Sequence, residues 1–476
     1  MAGAALLTVL VPLAAAVIAW AAPRAAASVG LATAAGVVLA VAVVTAEVAT
    51  EGPLDLVAGG WPQGLGIRIW VDGVSVVFLL ASALVGLAAT VHARDYFARY
   101  SGFWPLWLLL WAALNGVFIT GDAFNAYVAL ELAGLAAASL VTLDGSRPAL
   151  AAGLRYLLVS LAGATAYLGG VALLYATTGT LDLAALSAAA PDGALTGVAG
   201  GLILTGLMLK AALFPLHTWL PPAHSRAPGP VSAVLSALVV KAALFLAWRW
   251  LAVLPSPAAG VEVLAVLGGA AVLWGSVQAL RVGRLKGIIA YSTVAQMGFL
   301  TMGLALAGES PQAATGVAYL ALTHALAKAA AFLGAANVMR AAGHDRWPLA
   351  ASGLRGRPLT LMAFALAAVS LAGLPPSGGF VAKWYLLQEA LVADRFGLGL
   401  IFLGSGLLSA AYLFRILQPG LDPRPPAVPD RPPSRAMEWA ALGLGLAVTA
   451  LGVAASWAPA LVGAGAGVGQ AMGPTS

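Results

Sequence analysis

The sequence predicts an all-α polytopic membrane protein with about 14 transmembrane helices. Of its 476 residues, 61% are hydrophobic and only 9% are charged, and the mean hydropathy is +0.94. Soluble domains carry roughly 25% charged residues, so this chain is too apolar for water. Apolar segments follow one another along almost the whole sequence, and Lys and Arg concentrate in alternate links between them.

Fourteen segments approach the ~20 mainly apolar residues that a spanning helix needs. They cover about 3–21, 26–46, 72–92, 104–120, 122–142, 150–178, 198–216, 229–250, 258–279, 286–307, 315–340, 358–390, 395–417 and 436–460. The first lacks a basic region before its apolar core, which indicates a retained span rather than a cleaved signal peptide. The seventh and twelfth contain prolines near their centres, and the twelfth is long enough to be a discontinuous helix.

Basic residues predict the orientation of the chain. The links after odd-numbered spans hold 17 Lys and Arg, the links after even-numbered spans hold 3, and 4 lysines lie inside spans. The positive-inside rule therefore places the odd links in the cytoplasm and both termini outside. Glu47, Glu51, Asp55 and Asp72 are then expected to face outward.

Composition also excludes several functions. The chain has no Cys, hence no disulfide, no thiolate metal site and no thiol redox chemistry. The net charge of +6 follows the membrane topology and does not indicate nucleic-acid binding. The proline-rich link 418–435 is expected to be an extended cytoplasmic connector, and the Gly/Ala-rich tail 463–476 to be poorly ordered.

The stretch KAALFPLHTWLPPAHSRAPGPVSAVLSALVVK, from Lys210 to Lys241, carries the first functional signal. A lysine in an apolar run is followed five residues later by Pro215, and a second apolar run ends in another lysine. A buried charge beside a broken helix is typical of ion-transporting membrane proteins. LAGLPPSGGFVAK repeats this combination before Lys383.

A few charged or titratable side chains remain inside the predicted spans: Glu131, Lys210, Lys241, His324, Lys328, Lys383 and Glu389. Each isolated charge costs ~3 kcal/mol or more at mid-bilayer, so most of them must face one another or water. Glu131 and Lys210 have opposite signs and are expected to pair. His324 and Lys328 are four residues apart and share a helix face.

Purely structural roles are also possible for these residues. Glu131 and Lys210 could be a static pair that fixes helix packing, and Lys241 and Lys383 could extend to the headgroups. His324 could be a hydrogen-bonded packing residue.

The remaining polar candidates are weaker. Glu389 is expected near the outer surface, and His217 and His224 are weak metal ligands because no carboxylate accompanies them. Ser292, Thr293 and Gln296 could either hydrogen-bond water or join helices.

These motifs resemble the antiporter-like proton-conducting membrane subunits of respiratory complex I, Mrp-type cation/proton antiporters and membrane-bound hydrogenases. The resemblance rests on the Lys210–Lys241 stretch together with DAFNAYVALELAGL, LKGIIAYSTVAQMGF, THALAKAAAFLGAANV and LAGLPPSGGFVAKWYLL, in the same order over about 120–390. Arg284 and Gly287 depart from the family pattern, which puts cytoplasmic loop contacts in doubt.

The resemblance implies two inverted five-helix repeats, each with a broken helix. These would be 104–250 (spans 4–8) and 251–417 (spans 9–13), preceded by an N-terminal segment 1–103 and followed by 418–476. It also implies a proton path along six residues, called here the charged row: Glu131 and Lys210 as the coupling pair, Lys241 as the bridge, His324 and Lys328 as the central relay, and Lys383 as the exit.

The same resemblance implies a subunit of a multisubunit complex in a bacterial inner membrane. Its partners would be other membrane subunits, paralogous ones included, with protons and either Na⁺ or K⁺ as transported ions, and it would need no cofactor. The D-type component of an Mrp antiporter is expected first, and a complex I-type or hydrogenase subunit is the alternative. A subunit for inorganic-carbon uptake is a third hypothesis. Redox chemistry, in any of these, would reside in other chains.

Overall fold

A computed structural model of the chain describes residues 3–59, 66–98, 100–189, 191–254, 258–308, 310–422 and 431–463. The first part contains α1 (Gly3–Ala21), α2 (Ala26–Glu51), β1 (Leu54–Ala58), β2 (Ile67–Val71), α3 (Gly73–Tyr96), α4 (Phe103–Ile119), α5 (Ala123–Val141), α6 (Arg147–Thr178), α7 (Leu183–Ala189) and α8 (Ala194–Lys210). The middle part contains α9 (Leu220–Arg226), α10 (Gly229–Val234), α11 (Val240–Val253), α12 (Ala258–Arg281), α13 (Leu285–Ala307) and α14 (Pro311–Ala342). The last part contains α15 (Pro358–Ala372), α16 (Gly378–Val392), α17 (Phe396–Leu417), α18 (Arg435–Val453) and α19 (Trp457–Gly463).

The described helices confirm the predicted class. Eleven are long and apolar enough to cross a membrane, counting Gly229–Val253 as one helix, and three shorter apolar helices accompany them. Each of the fourteen predicted spans contains one of these helices. The seventh span breaks after Lys210, and the twelfth divides into α15 and α16, as its prolines predicted. The inverted-repeat boundaries stay a prediction.

Polar residues in the links start many of the helices. Asp72 and Asp122 accept hydrogen bonds from backbone amides in the first turns of α3 and α5. Ser146, Ser310, Ser377 and Ser434 do the same for α6, α14, α16 and α18. A side-chain oxygen at this position satisfies an amide that has no partner within the helix. These residues therefore belong to the scaffold.

Two corrections concern the face that the sequence analysis assigns to the outside. A β-hairpin formed by β1 and β2 interrupts the all-α pattern, with Leu54 opposite Val71. Asp72 is buried and pairs with Arg249, which lies inside α11 rather than in a link. Both guanidinium N–H groups donate to the Asp72 carboxylate at 2.6 Å, so the two charges compensate each other.

Two predicted features fall partly or wholly outside the described residues. The proline-rich link is described only at its ends, where Gln418–Leu421 forms a 3-10 turn, and 423–430 lie outside. Nearly all of the predicted tail, 464–476, also lies outside.

Close helix packing positions the first half of the charged row. A Cβ at Gly163 of α6 would lie 2.8 Å from the carbonyl oxygen of Gly206, and one at Gly206 of α8 would lie 2.3 Å from that of Gly163. Small residues let the two backbones approach directly. The last turn of α8, which ends in Lys210, is therefore held against α6.

Candidate functional site

The first pair of the charged row is formed as predicted. Lys210 Nζ donates to Glu131 Oε1 at 2.8 Å and to Ser160 Oγ at 2.9 Å. The Lys210 side chain is 7% exposed and that of Glu131 is 16% exposed. Three helices, α5, α6 and α8, each supply one group. The role of the pair stays a prediction.

The break in the seventh span explains why the ammonium group lies here. α8 ends at Lys210, so its last carbonyl groups point past the lysine and favour a cation at this end of the helix. Trp219, in the 3-10 turn after the break, donates to the carbonyl oxygen of Leu209 at 2.9 Å and stacks on Tyr156 of α6. The Leu209 carbonyl also accepts from the Ala212 amide at 3.2 Å, so the tryptophan adds a second hydrogen bond at the end of the broken helix.

A small cavity lies beside Lys210. It is lined by Gly134, Ser160 and Lys210 on one side and by Val239 and Ala242 on the other. The volume open to the centre of a water molecule is about 10 Å³, close to the minimum that one water needs. The cavity therefore lies between the coupling pair and the segment that carries Lys241.

Lys241 follows a π-helical turn, Leu235–Val239. It is 1% exposed, and its Nζ donates to the carbonyl oxygen of Ser236 at 3.1 Å. The Ser236 hydroxyl lies 2.8 Å from that of Thr293 on α13, which in turn donates to the carbonyl oxygen of Ile289. Burial excludes the alternative that Lys241 extends to the headgroups.

Lys328 lies at the centre of α14 and contacts the same turn of α13. Its Nζ donates to the carbonyl oxygen of Ile289 at 3.1 Å and to Ser292 Oγ at 2.6 Å. Ile289 thus accepts from both Thr293 and Lys328, which joins the hydrogen bonds of the bridge to those of the relay. Ser292 contacts Lys328 directly, whereas Thr293 reaches the row only through Ser236 and Ile289.

His324 is 2% exposed, and neither ring nitrogen has a hydrogen-bond partner within the described residues. No described group therefore holds the ring by a hydrogen bond, and whether His324 acts as a relay or as a packing residue stays a prediction. The imidazole lies on α14, one helical turn before Lys328. A buried nitrogen without a partner is costly, so a water molecule is expected at this ring.

Lys383 ends the row at the second helix break. Its Nζ donates at 2.7 Å to the carbonyl oxygen of Leu371, in the last turn of α15, and lies 4.4 Å from the Phe299 ring centroid. Gln296 donates to the same carbonyl at 3.1 Å. Gly373, at φ +79°, permits this approach, because a Cβ there would lie 2.7 Å from Lys383 Cδ. Lys383 is 8% exposed and does not reach the headgroups.

The two halves of the row differ in charge compensation. Lys210 has a carboxylate, whereas Lys241, Lys328 and Lys383 form no ion pair with any described acidic residue. Backbone carbonyls and hydroxyls stabilise these three lysines instead.

Sequence reasoning did not anticipate the burial of two titratable groups, Lys286 and His224. Lys286 counts as a loop charge in the sequence, yet it is 2% exposed at the start of α13 and donates to the carbonyl oxygen of Ala227. His224 stacks on Phe332, one helical turn from Lys328, and both its ring nitrogens lack a described partner. Lys286 lies in the LKGIIAY motif and His224 in the PPAHSR motif. Their positions in the sequence, near the ends of predicted spans, did not show whether the side chains are buried or exposed.

The other weak candidates lie apart from the row. His217 stacks on Phe214 at the first break, and Glu389 is half-buried on α16. No group of three or more His, Cys, Asp or Glu side chains in the described part of the chain could hold a metal.

Fold and site together define a polytopic membrane subunit with a charged row between two broken helices. Residues 120–409 match the family described as NADH:quinone oxidoreductase/Mrp antiporter, TM. The chain belongs to this family.

Its relatives come from two kinds of complex. It is 37% identical over 419 residues to NADH-quinone oxidoreductase subunit N of Desulforudis audaxviator (strain MP104C), covering 84% of this chain and 83% of that one. It is 27% identical to the D component of the Na(+)/H(+) antiporter of Alkalihalophilus pseudofirmus (strain ATCC BAA-2126 / JCM 17055 / OF4), covering 80% and 78% of the two chains. A chain in the structure of the Mrp complex from Dietzia sp. DQ12-45-1b superposes with a TM-score of 0.89 at 28% identity, covering 99% of this chain and 98% of that one. The expected preference for the D-type component of an Mrp antiporter is not supported by these identities.

Proposed function

We propose that this chain is a proton-translocating subunit of a multisubunit membrane complex. Protons move along the charged row, from Glu131 and Lys210 through Lys241, His324 and Lys328 to Lys383. The chain itself carries out no redox chemistry in this proposal. Its task is to couple proton movement to a process in its partners.

The observation that carries the proposal is the 2.8 Å contact between Lys210 and Glu131 at a helix break. While the two are in contact, the carboxylate stabilises the ammonium charge. When they separate, the buried ammonium loses its counter-charge and release of its proton becomes favourable. The small cavity beside Lys210 and the hydroxyls around Lys241 lie where that proton would go.

The surface around Glu131 supports the proposal that a partner subunit covers α5. Phe124, Val128 and Leu135 lie on the same helix face as Glu131 and are 46%, 47% and 50% exposed. A carboxylate that remains 16% exposed on such a face is costly against lipid. A neighbouring subunit with a polar or titratable group at this depth would remove that cost.

Two kinds of complex remain candidates. An Mrp-type Na⁺(K⁺)/H⁺ antiporter is supported by the superposition on the Dietzia complex, and a complex I-type or hydrogenase-type oxidoreductase is supported by the 37% identity to the Desulforudis oxidoreductase chain. An inorganic-carbon uptake complex is the third candidate from the sequence. Purification of the native complex followed by mass spectrometry distinguishes them: small antiporter subunits, redox subunits or a zinc-containing soluble partner would copurify.

The proton route is tested with Lys210→Ala in the complete complex reconstituted into vesicles. We expect proton transport to be lost while the complex still assembles, because the switchable pair is gone. Glu389→Gln is the matched control, since it removes a half-buried charge from the helix of Lys383 without altering the row. Wild-type transport by an assembled Lys210→Ala complex would overturn the proposal.

A further inference from the structure

A second chain of hydrogen bonds leaves the charged row at Lys328. Lys328 Nζ donates to Ser292 Oγ at 2.6 Å, Ser292 donates to the Tyr412 hydroxyl at 2.9 Å, and Tyr412 donates to Ser409 Oγ at 3.0 Å. Lys328, Ser292, Tyr412 and Ser409 are all 0% exposed. In each of these hydrogen bonds the donor is the group nearer to Lys328. The series of bonds is therefore oriented to carry a proton away from the lysine.

The charged row itself offers no such connection beyond Lys328. Among the described residues, no hydrogen bond joins Lys328 to His324 or to Lys383. Lys383 bonds the Leu371 carbonyl and contacts Phe299 instead. The continuous bonded path from the central lysine therefore leads sideways to α17, a helix that contributes nothing to the row.

No described hydrogen bond continues the path beyond Ser409, but α17 packs against α12 there. Arg395 pairs with Glu262 near one end of these helices, and Arg415 donates to the carbonyl oxygen of Leu280 near the other, so they run side by side in one direction. Ser276, four residues before Leu280, therefore lies level with Ser409 and Tyr412. Its hydroxyl is fully buried and has no partner in the described part of the chain.

An open groove of about 700 Å³ lies between the same two helices, and its lining on α12 extends to Leu273, three residues before Ser276. Ala270 and Leu273 line it on α12, Ile401 lines it on α17, and the Glu262–Arg395 pair lies at its far end. Ser405 of α17 is buried between Ser409 and the groove residues of that helix. Polar side chains thus continue from Tyr412 along α17 toward the groove.

We propose that Ser292, Tyr412 and Ser409 form a side branch of the proton path, with Tyr412 as its central carrier. The inference rests on the proposed function. The Lys328 ammonium transfers a proton to Ser292 Oγ while the Ser292 proton moves to the Tyr412 oxygen and the Tyr412 proton moves to Ser409. Water in the α12–α17 groove takes the proton from Ser409. The three hydroxyls then rotate back, so that one proton has moved and only N–H and O–H bonds have changed.

Two parallel outlets give a specific kinetic signature. In vesicles containing the complete complex, Lys383→Ala is expected to keep a residual rate several-fold above that of Lys210→Ala, because the side branch remains open. Adding Tyr412→Phe removes only a hydroxyl and is expected to reduce that residual rate to the Lys210→Ala level. Tyr412→Phe alone should lower transport while Lys383 still carries most of the flux.

Controls separate this role from a structural one. Tyr291→Phe, on α13, removes a half-buried hydroxyl that forms no described hydrogen bond and should leave all rates unchanged. Ser292→Thr keeps the hydroxyl and should restore what Ser292→Ala loses. Ser409→Ala removes the last acceptor and provides a second test if Tyr412→Phe assembles poorly.

The branch is overturned if Lys383→Ala transports no faster than Lys210→Ala, or if its residual rate is unaffected by both Tyr412→Phe and Ser409→Ala. Either result would leave the main proposal intact as long as Lys210→Ala abolishes transport. Transport that survives Lys210→Ala would instead overturn the main route.

Discussion

Lys241 donates a hydrogen bond to Ser236, five residues earlier in the same helix, across a turn of π-helix. The 3.1 Å contact gives a buried ammonium a backbone carbonyl as its partner. π-turns leave backbone carbonyls free and occur often at functional sites. The local winding of this helix, rather than a second charged residue, therefore determines where the lysine charge lies.

Thr293→Val tests whether the π-turn must be fixed to α13. The valine has the same shape but cannot bond the Ser236 hydroxyl at 2.8 Å. We expect proton transport by the reconstituted complex to fall several-fold, because the turn and Lys241 lose their link to α13. Thr301→Val is the control, since Thr301 bonds only its own helix, at the Met297 carbonyl. Equal rates for the two variants would contradict the prediction.

Gly163→Ala tests the contact that holds Lys210 against α6. The new Cβ would lie 2.8 Å from the Gly206 carbonyl oxygen and 3.3 Å from Lys210 Cγ. We expect a loss of about 1–3 kcal/mol of stability from overpacking and a loss of transport as Lys210 moves from Ser160. Thermal unfolding and vesicle transport measure the two effects. Gly169→Ala, on the same helix, meets nothing within 4 Å and should behave as wild type.

A double-mutant cycle tests how far the coupling pair stabilises the protein. Removing one partner of a buried pair costs about 3–5 kcal/mol, because it leaves the other charge uncompensated. We therefore expect Glu131→Gln to lower the unfolding temperature of the purified complex, and Glu131→Gln with Lys210→Met to recover most of the loss. Additive losses in the double variant would show that the two side chains act independently.

Asp72→Asn tests the second buried pair, with a defined pH dependence. Burial alone would raise the Asp72 pKa, but the Arg249 guanidinium lowers it below its ordinary value. A lowered carboxyl pKa stabilises the fold above the unfolded value of about 4, and this contribution is lost as the pH falls through the folded value. The difference in free energy of unfolding between wild type and Asp72→Asn should be constant from pH 7 to pH 5. It should become smaller only below pH 4. A free-energy difference that changes between pH 7 and pH 5 would contradict the lowered pKa of Asp72.

Hydropathy and proline position predict this fold well, because lipid requires each spanning segment to be apolar and helical on its own. That local requirement explains why the breaks near Lys210 and Lys383 could be located from the sequence. The pairing of Glu131 with Lys210 was also predictable, since two opposite charges in lipid have few other partners.

The partners of the other lysines could not be predicted. Lys241 and Lys383 bind backbone carbonyls of Ser236 and Leu371, which become available only when a helix winds irregularly or stops. Ser160 and Tyr412 are single hydroxyls on distant helices, and no periodicity distinguishes them from packing residues. The pairing of Asp72 with Arg249 depends on tertiary contact across 177 positions of sequence.

The absence of a described acid beside Lys241, Lys328 and Lys383 limits how many protons the second half can hold. Two unit charges 10 Å apart at an effective dielectric constant near 20 repel by about 1.7 kcal/mol. If protons follow the proposed route, a proton on one of these lysines therefore disfavours a proton on the next, and loading is anticooperative. On that route the second half of the row would hold few protons at once, and the transport rate would depend on how fast each proton leaves.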